Sequence, residues 1–264
     1  MIPPAELGEL EAFRSLLAGQ EQAEIGGALC TSFETTPGSA LFNRALRLGL
    51  AEAATEAALD RIDDFFSGRG LAYGIPLTPD AQPPELPEWL EARGFRRGYA
   101  WTKFARGLEP APPPETNLRV EEVGADRANA FADVFARAYG TPDVTRPLLE
   151  RIPGREGWRC FAAFDGDTPA ATGALFVTGS VGWVGAGGTL PEFRRRGAQG
   201  ALLAARIEAG VAAGCETLVT ETGEPVEGRP GSSYRNLVRA GFEPLYVRQN
   251  YLSSGQADTS GTRA

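Results

Sequence analysis

The stretch from Val181 to Cys215, VGWVGAGGTLPEFRRRGAQGALLAARIEAGVAAGC, constrains the fold more than any other part of the chain. Val181 to Leu190 is a short apolar run rich in Gly, Val and Trp, the profile of a strand. Pro191 to Gln199 is a turn that carries Arg194, Arg195, Arg196 and Gly197. Ala201 to Ala213 then places Leu203, Ile207, Gly210 and Val211 at i, i+4, i+7 and i+8, one face of a helix. Strand, basic glycine turn and helix together form a recipe for holding phosphate. The leading N–H groups of a helix have no internal partner and sit at the positive end of its dipole. Gly197, with no Cβ, lets an anion approach the backbone closely.

Two phosphate motifs are excluded by inspection. No Lys-Ser or Lys-Thr follows the glycines, so this is not a nucleotide P-loop. Gly185 and Gly187 begin a dinucleotide fingerprint, but Leu190 stands where its third glycine belongs. The pattern that remains is Arg194-x-x-Gly197-x-Gln199-Gly200, between a strand and a helix.

Composition narrows the chemistry. The 34 acids and 26 bases give a net charge of −8, which argues against a general nucleic-acid binder and makes the arginine turn a local feature. The chain contains no histidine, which excludes His-based triads, Cys–His dyads and HExxH metal sites. Cys30, Cys160 and Cys215 are far apart and form no CxxC, so neither a disulfide framework nor a metal site is expected, and a reducing cytoplasm fits. No apolar run approaches the length of a membrane span, and the N-terminus lacks the basic and apolar regions of a signal peptide.

The order of elements predicts a mixed α/β chain of two domains. Glu109 to Glu115 holds four prolines in seven residues, a stiff extended linker. The boundary is placed there: a first domain over 1–108, a linker over 109–116, a second domain over 117–252 and a disordered polar tail over 253–264. In the first domain, strands are expected over 27–33, 42–50, 71–77 and 95–104, and helices over 1–20, 54–67 and 85–93. In the second, strands are expected over 118–123, 160–164, 171–178, 216–222 and 242–252. Helices are expected there over 126–139, 144–152 and 232–240, besides the one after the arginine turn. An internal echo links the halves. Leu90…Gly94-Phe95 lines up with Leu237…Gly241-Phe242, Tyr99 with Tyr246, and Phe104 with Tyr251. The segment before Ala54 has no arginine-glycine turn, so the first half reads as a degenerate copy without the phosphate cradle.

The Arg194-x-x-Gly197-x-Gln199-Gly200 pattern resembles the pyrophosphate-binding motif Q/R-x-x-G-x-G/A of the GNAT superfamily of acyl-CoA-dependent N-acyltransferases. Gln199 departs from the usual Gly or Ala, with Gly200 just after it. The order of elements from 117 to 252, and the position of Gly241-Phe242, are similar to the complete GNAT fold. The resemblance implies two GNAT-like domains, each a mixed, mostly antiparallel sheet flanked by helices, with splayed central strands in the second. It implies acetyl-CoA as acyl donor. Arg194, Arg195, Arg196, Gly197, Ala198, Gln199 and Gly200 would hold the diphosphate, and the backbone of Gly188, Thr189 and Leu190 would pair with the pantetheine arm. Gly187-Gly188 suits a bulge that re-aims backbone N–H groups toward an oxyanion. Asn236 would bond the cofactor arm.

Acyl transfer to an amine needs a proton acceptor and a proton for the leaving thiolate. Glu221, at the end of the strand after the cradle helix, is the expected base. Glu192, Glu224 and Glu227 read as surface residues. Leu237 stands where the family often places a tyrosine acid, so Tyr234 and Tyr246 are the candidates for that role. The implied function is acetyl transfer to a primary amine of a small molecule or peptide, by a monomer or homodimer without nucleic-acid or membrane partners and without a metal. A module that binds acyl-CoA without chemistry is the alternative.

Overall fold

A computed structural model describes residues 2–225 and 231–254 of the chain. Glu227 and the tail expected from 253 onward, apart from Ser253 and Ser254, lie outside the described residues. The first half runs α1 (Pro4–Leu16), β1 (Gln22–Ile25), β2 (Ala28–Thr31), β3 (Arg44–Leu46), α2 (Glu56–Ser67), β4 (Gly74–Leu77), α3 (Leu86–Ala92) and β5 (Arg96–Arg106). The second runs β6 (Arg119–Val123), α4 (Ala128–Tyr139), α5 (Arg146–Leu149), β7 (Trp158–Asp165), β8 (Thr168–Thr178) and β9 (Val181–Thr189). It closes with α6 (Ala198–Ala212), β10 (Thr217–Gly223), α7 (Ser232–Arg239) and β11 (Glu243–Leu252).

The chain divides into two compact units, and the division differs from the one expected at the prolines. One unit holds residues up to Thr102 together with the strand from Tyr246 onward; the other is Lys103–Leu245. The cause is strand pairing. Gln249 to Leu252 pair antiparallel with Leu77 to Gly74 of β4, so most of β11 completes the sheet of the first unit. The prolines fall inside the second unit.

In the first unit the strand order is β1-β2-β3-β4-β11-β5. The strand expected over 27–33 is one arm of a hairpin, with β1 as its partner (Ala23 opposite Cys30). The strand expected over 42–50 is cut to three residues because Arg47 takes a positive φ of 64° and turns the chain. A core gathers Leu59, Ile62 and Phe66 from α2, Ile75 and Leu77 from β4 and Leu90 from α3. Each such side chain contributes roughly 1.5–3 kcal/mol by leaving water.

In the second unit the order is β5-β10-β9-β8-β7-β6. Strands β6 to β9 are antiparallel neighbours, and β10 runs parallel to β9, as the crossover through α6 requires. The hairpin expected at Asp165-Gly166 is present, with Asp165 opposite Thr168. The helix expected over 144–152 is a 3-10 turn at Asp143–Thr145 followed by the single turn α5. On α6, Leu202, Leu203 and Ile207 enter the core with Phe161, Leu175 and Leu218. Val211, expected on that face, is exposed.

The internal echo is reproduced in detail. The order α2, β4, α3, β5 matches α6, β10, α7, β11. Gly94 (φ 85°) and Gly241 (φ 83°) end their helices in the left-handed conformation. Phe95 N–H donates to Leu90 O at 3.0 Å, and Phe242 N–H donates to Leu237 O at 3.0 Å. Both phenylalanines then turn into their own cores.

Candidate active site

The site begins where two strands part. Strands β9 and β10 pair only over Val181–Trp183 and Thr217–Val219. Beyond them β9 continues to Thr189 and β10 to Gly223, so a gap opens between the strands. A bulge sits at the opening. Thr172 of β8 pairs with Gly188 while Ala174 pairs with Gly185, which leaves an additional residue on β9. Ala186, inside the bulge, has a φ of 50°.

Side chains from three elements hold the carbonyls of this stretch. Thr220 Oγ1 on β10 donates to Val184 O at 2.6 Å, Arg206 Nη1 on α6 to Gly185 O at 3.0 Å, and Tyr139 OH on α4 to Gly187 O at 2.8 Å. Sequence reasoning missed all three. Arg206 had a readable signal, as the lone cation in an apolar helical run. It is fully buried, donates also to Leu202 O, and has no ion-pair partner among the described residues. Burial lowers its guanidinium to about 10, so it still carries its proton at neutral pH. Burial likewise pushes the Tyr139 hydroxyl up. Gly173 is what admits Arg206, since a Cβ there would lie 2.6 Å from its Cζ.

Next to the bulge lies the front of α6. Gly197 is the N-cap, with φ 79°, and offers no side-chain cap. Arg195 also has a positive φ, of 64°. Alternation of left- and right-handed residues turns successive N–H groups toward one side and makes an anion-binding concavity. Among the described residues, no protein acceptor takes the N–H groups of Ala198, Gln199 or Gly200. The first turn contains no acid. The side chains of Arg194 and Arg195 are exposed and form no ion pair among the described residues.

Arg196 does not join them. Its guanidinium grips Asp165 at 2.7 and 3.0 Å and Asn117 Oδ1 at 3.0 Å. The expectation for Arg196 is corrected: it fastens the turn to the end of β7. Leu190 is corrected too, because its N–H donates to Ala170 O at 3.0 Å and its side chain is buried. Gln199 Nε2 donates to Thr189 Oγ1 at 2.9 Å, tying the helix front to the end of β9.

A cavity of about 760 Å³ covers this surface. Its lining brings together Gly188, Thr189, Arg194, Arg195, Gly197, Ala198, Gln199, Gly200 and Asn236. It also includes Ala111 to Glu115, so the proline segment, expected as a spacer, is a wall of the site. Thr116 Oγ1 donates to Arg196 O at 2.6 Å and holds that wall in place. A Cβ at Gly197 would lie 1.9 Å from Glu115 O, so this glycine is required by the strap as well as by its own φ.

Glu221 stands on β10, two residues past the last paired position. Lys103 Nζ donates to its Oε2 at 2.9 Å, and Trp183 Nε1 to its Oε1 at 3.1 Å. The Lys103 and Glu221 side chains are 0% and 5% exposed. The carboxylate is thus a buried, oriented, ion-paired group past the last paired position of β10 and, like Tyr234, is absent from the cavity lining; Lys103 and Trp183 were missed as its partners.

The two tyrosines do not meet the cavity. Tyr234 packs edge-on against Phe104, centroids 5.0 Å apart, and is absent from the lining. Tyr246 belongs to the first unit, where its hydroxyl donates to Glu6 Oε1 at 2.7 Å and burial pushes its pKa up. Tyr246 is thereby removed from the site, because β11 from that residue onward completes the first unit's sheet. Among the described residues, no group of three or more His, Cys, Asp or Glu could hold a metal ion, and no helix is long and apolar enough to cross a membrane.

No protein-family model matches the sequence, and no curated protein matches it. Solved structures do. A GCN5-related N-acetyltransferase from Kribbella flavida is similar with a TM-score of 0.69 over 97% of this chain and 97% of that one, at 20% identity. A functionally unknown conserved protein from Staphylococcus epidermidis reaches 0.63 over 91% and 96%, at 11% identity. The tandem GNAT protein from the clavulanic acid biosynthesis pathway reaches 0.54 over 80% and 72%, at 19% identity. Likeness at these identities shows the fold alone: a mixed α/β arrangement similar to that of these solved structures.

Proposed function

We propose that this chain, with the fold of the GNAT acetyltransferases, moves an acetyl group from acetyl-CoA directly to a primary amine of a small molecule or peptide. The observation that carries the reading is the open front of α6 beside parted strands. Bound there, acetyl-CoA supplies the activated thioester. The N–H groups of Ala198, Gln199 and Gly200, with Arg194 and Arg195, hold its diphosphate. Gly188 and Thr189 guide the arm along β9, and Asn236 faces it from α7. Thr220, Arg206 and Tyr139 hold the carbonyls of Val184, Gly185 and Gly187, which fixes the bulge beside the reacting carbonyl.

Glu221 receives the proton that the acceptor ammonium must lose, directly or through one water. Lys103 and Trp183 hold its two oxygens in place for that task. As the N–C bond forms and the C–S bond breaks, the nitrogen gives up its second proton, which passes through water to the departing thiolate and leaves CoA as the thiol. The absence of Tyr234 and Tyr246 from the cavity lining is therefore compatible with transfer. It is also the one observation that favours the other reading, a module that binds acyl-CoA without chemistry. The chain's net charge of −8 suits a cationic acceptor. Three free, buried cysteines suit a reducing cytoplasm.

Mixing the protein with acetyl-CoA and a panel of amines, with free thiol as the readout, separates the two. Thiol release that depends on one class of amine supports transfer. CoA binding with no release across the panel would leave the binding module.

A further inference from the structure

Arg206 on α6 is a buried cation with no counter-charge among the described residues. It is 2% exposed. The titratable groups within its electrostatic reach are Tyr139 and Cys160, and burial pushes both upward, so both are neutral at neutral pH. A lone buried guanidinium is costly, and an apolar side chain would fill the same helix face without that cost. Two glycines keep its place open. A Cβ at Gly173 would lie 2.6 Å from its Cζ, and one at Gly187 would lie 3.7 Å from both Nη1 and Nη2. Gly187 lines the cavity, so the charge lies directly behind the cavity wall. Four successive carbonyls of β9, Val184 to Gly187, accept from the side chains of Thr220, Arg206, Thr172 and Tyr139 in turn. Arg206 is the one charged donor of the four.

We propose that Arg206 is a positioning residue for acyl transfer whose charge, acting through the Gly185–Ala186 peptide, strengthens the bulge as a donor to the acyl oxygen. This rests on the reading of the cavity as an acyl-CoA site. It goes beyond fixing the shape of the bulge, because a neutral side chain does that as well. Gly185 O and Ala186 N–H belong to one peptide group, so a cation bonded to the oxygen polarises the N–H toward an acceptor. Ala186 lies inside the bulge and has no partner in the register with β8. Negative charge grows on the acyl oxygen as the amine adds to its carbon. That charge meets a peptide dipole backed by a full cation in buried, low-dielectric surroundings. Thr172, Thr220 and Tyr139 supply the shape of the bulge, and Arg206 supplies its field.

Two substitutions in the full chain separate field from shape. Arg206→Met removes the charge and its hydrogen bond. Thr220→Val removes a neutral hydrogen bond from the neighbouring carbonyl and leaves the charge in place. Difference infrared spectroscopy of bound acetyl-CoA, isotope-labelled at its carbonyl and without acceptor amine, reads the polarisation of the thioester directly. The wild type is expected to lower the carbonyl stretch relative to free ligand. Arg206→Met should lose most of that shift, and Thr220→Val should keep most of it. In steady-state assays Arg206→Met should lower kcat about tenfold, less than the loss of a whole oxyanion donor, with KM for acetyl-CoA unchanged. A thermal melt checks that the variants fold. Should Arg206→Met unfold, Gly173→Ala takes its place, since the added Cβ pushes the guanidinium off Gly185 O, and the same loss of shift is expected. An unshifted carbonyl in the wild type, a shift that survives in Arg206→Met, or an equal loss in Thr220→Val would overturn the role of the charge, while calorimetric binding of acetyl-CoA keeps the cavity reading. No binding of acetyl-CoA by the wild type would remove both.

Discussion

Helices α2 and α6 occupy equivalent places in the two units, each following a strand and leading into a partly parallel pair, yet their front ends are built oppositely. Thr55 caps α2, its Oγ1 accepting from Ala58 N–H at 3.1 Å, and Glu56 adds an acid to the first turn. The positive end of that helix is satisfied from within the protein. Helix α6 has Gly197 at the same position, no cap, no acid, and arginines before it. Its donors are left for a ligand. The parallel pairs differ as well. Strands β3 and β4 meet at one position, Arg44 opposite Gly74, whereas β9 and β10 pair over three and then part around a bulge. The same architecture becomes scaffold or site according to which residues terminate one helix.

Substitutions can break or sharpen this contrast. The largest effect is expected at the gap that only the second unit has. Glu221→Gln should lower kcat by about 10²-fold or more, the usual scale of a lost general base, with KM for acetyl-CoA unchanged in steady-state assays. Next comes the cap that only the first unit has. Thr55→Ala should cost about 1 kcal/mol in a urea unfolding curve and leave CoA affinity untouched. The smallest effect concerns the clamp behind the arginine turn. The Arg196 guanidinium holds the Asp165 carboxyl below the usual aspartate range. A folded-state pKa depressed in this way gives stability that is present above the unfolded value, near about 3.9, and is lost as pH falls through the folded one. Asp165→Asn should therefore lower the thermal midpoint slightly at pH 7, and the two curves should converge in acid.

The cradle and the echo were legible because they rest on local rules. A glycine after arginines and before an apolar helix, and a Gly-Phe after a short helix, each dictate backbone conformation within a few residues. The bulge near Gly187 was legible for the same reason. What the sequence hid was long-range. Nothing near Tyr246 shows that β11 will pair with β4 and carry that tyrosine to Glu6. Nothing near Glu115 shows that its carbonyl will lie against Gly197. The Lys103–Glu221 pair joins residues 118 apart. The run of arginines looked uniform, yet only Arg194 and Arg195 face the cavity, since Asp165 and Asn117 claim Arg196.

The central claim, that open amides at one helix front hold CoA and those at its counterpart do not, is tested most directly by calorimetric titration of CoA into the wild type and Gly200→Asp. Gly200 is exposed with nothing within 4 Å of an added Cβ, and an acid in a first helical turn favours the helix, so this variant folds. It gives α6 the character that Glu56 gives α2. The account predicts a single CoA bound per chain in the wild type and an affinity lower by about 10²-fold in Gly200→Asp. Two CoA molecules per chain, or the same affinity in both proteins, would contradict it.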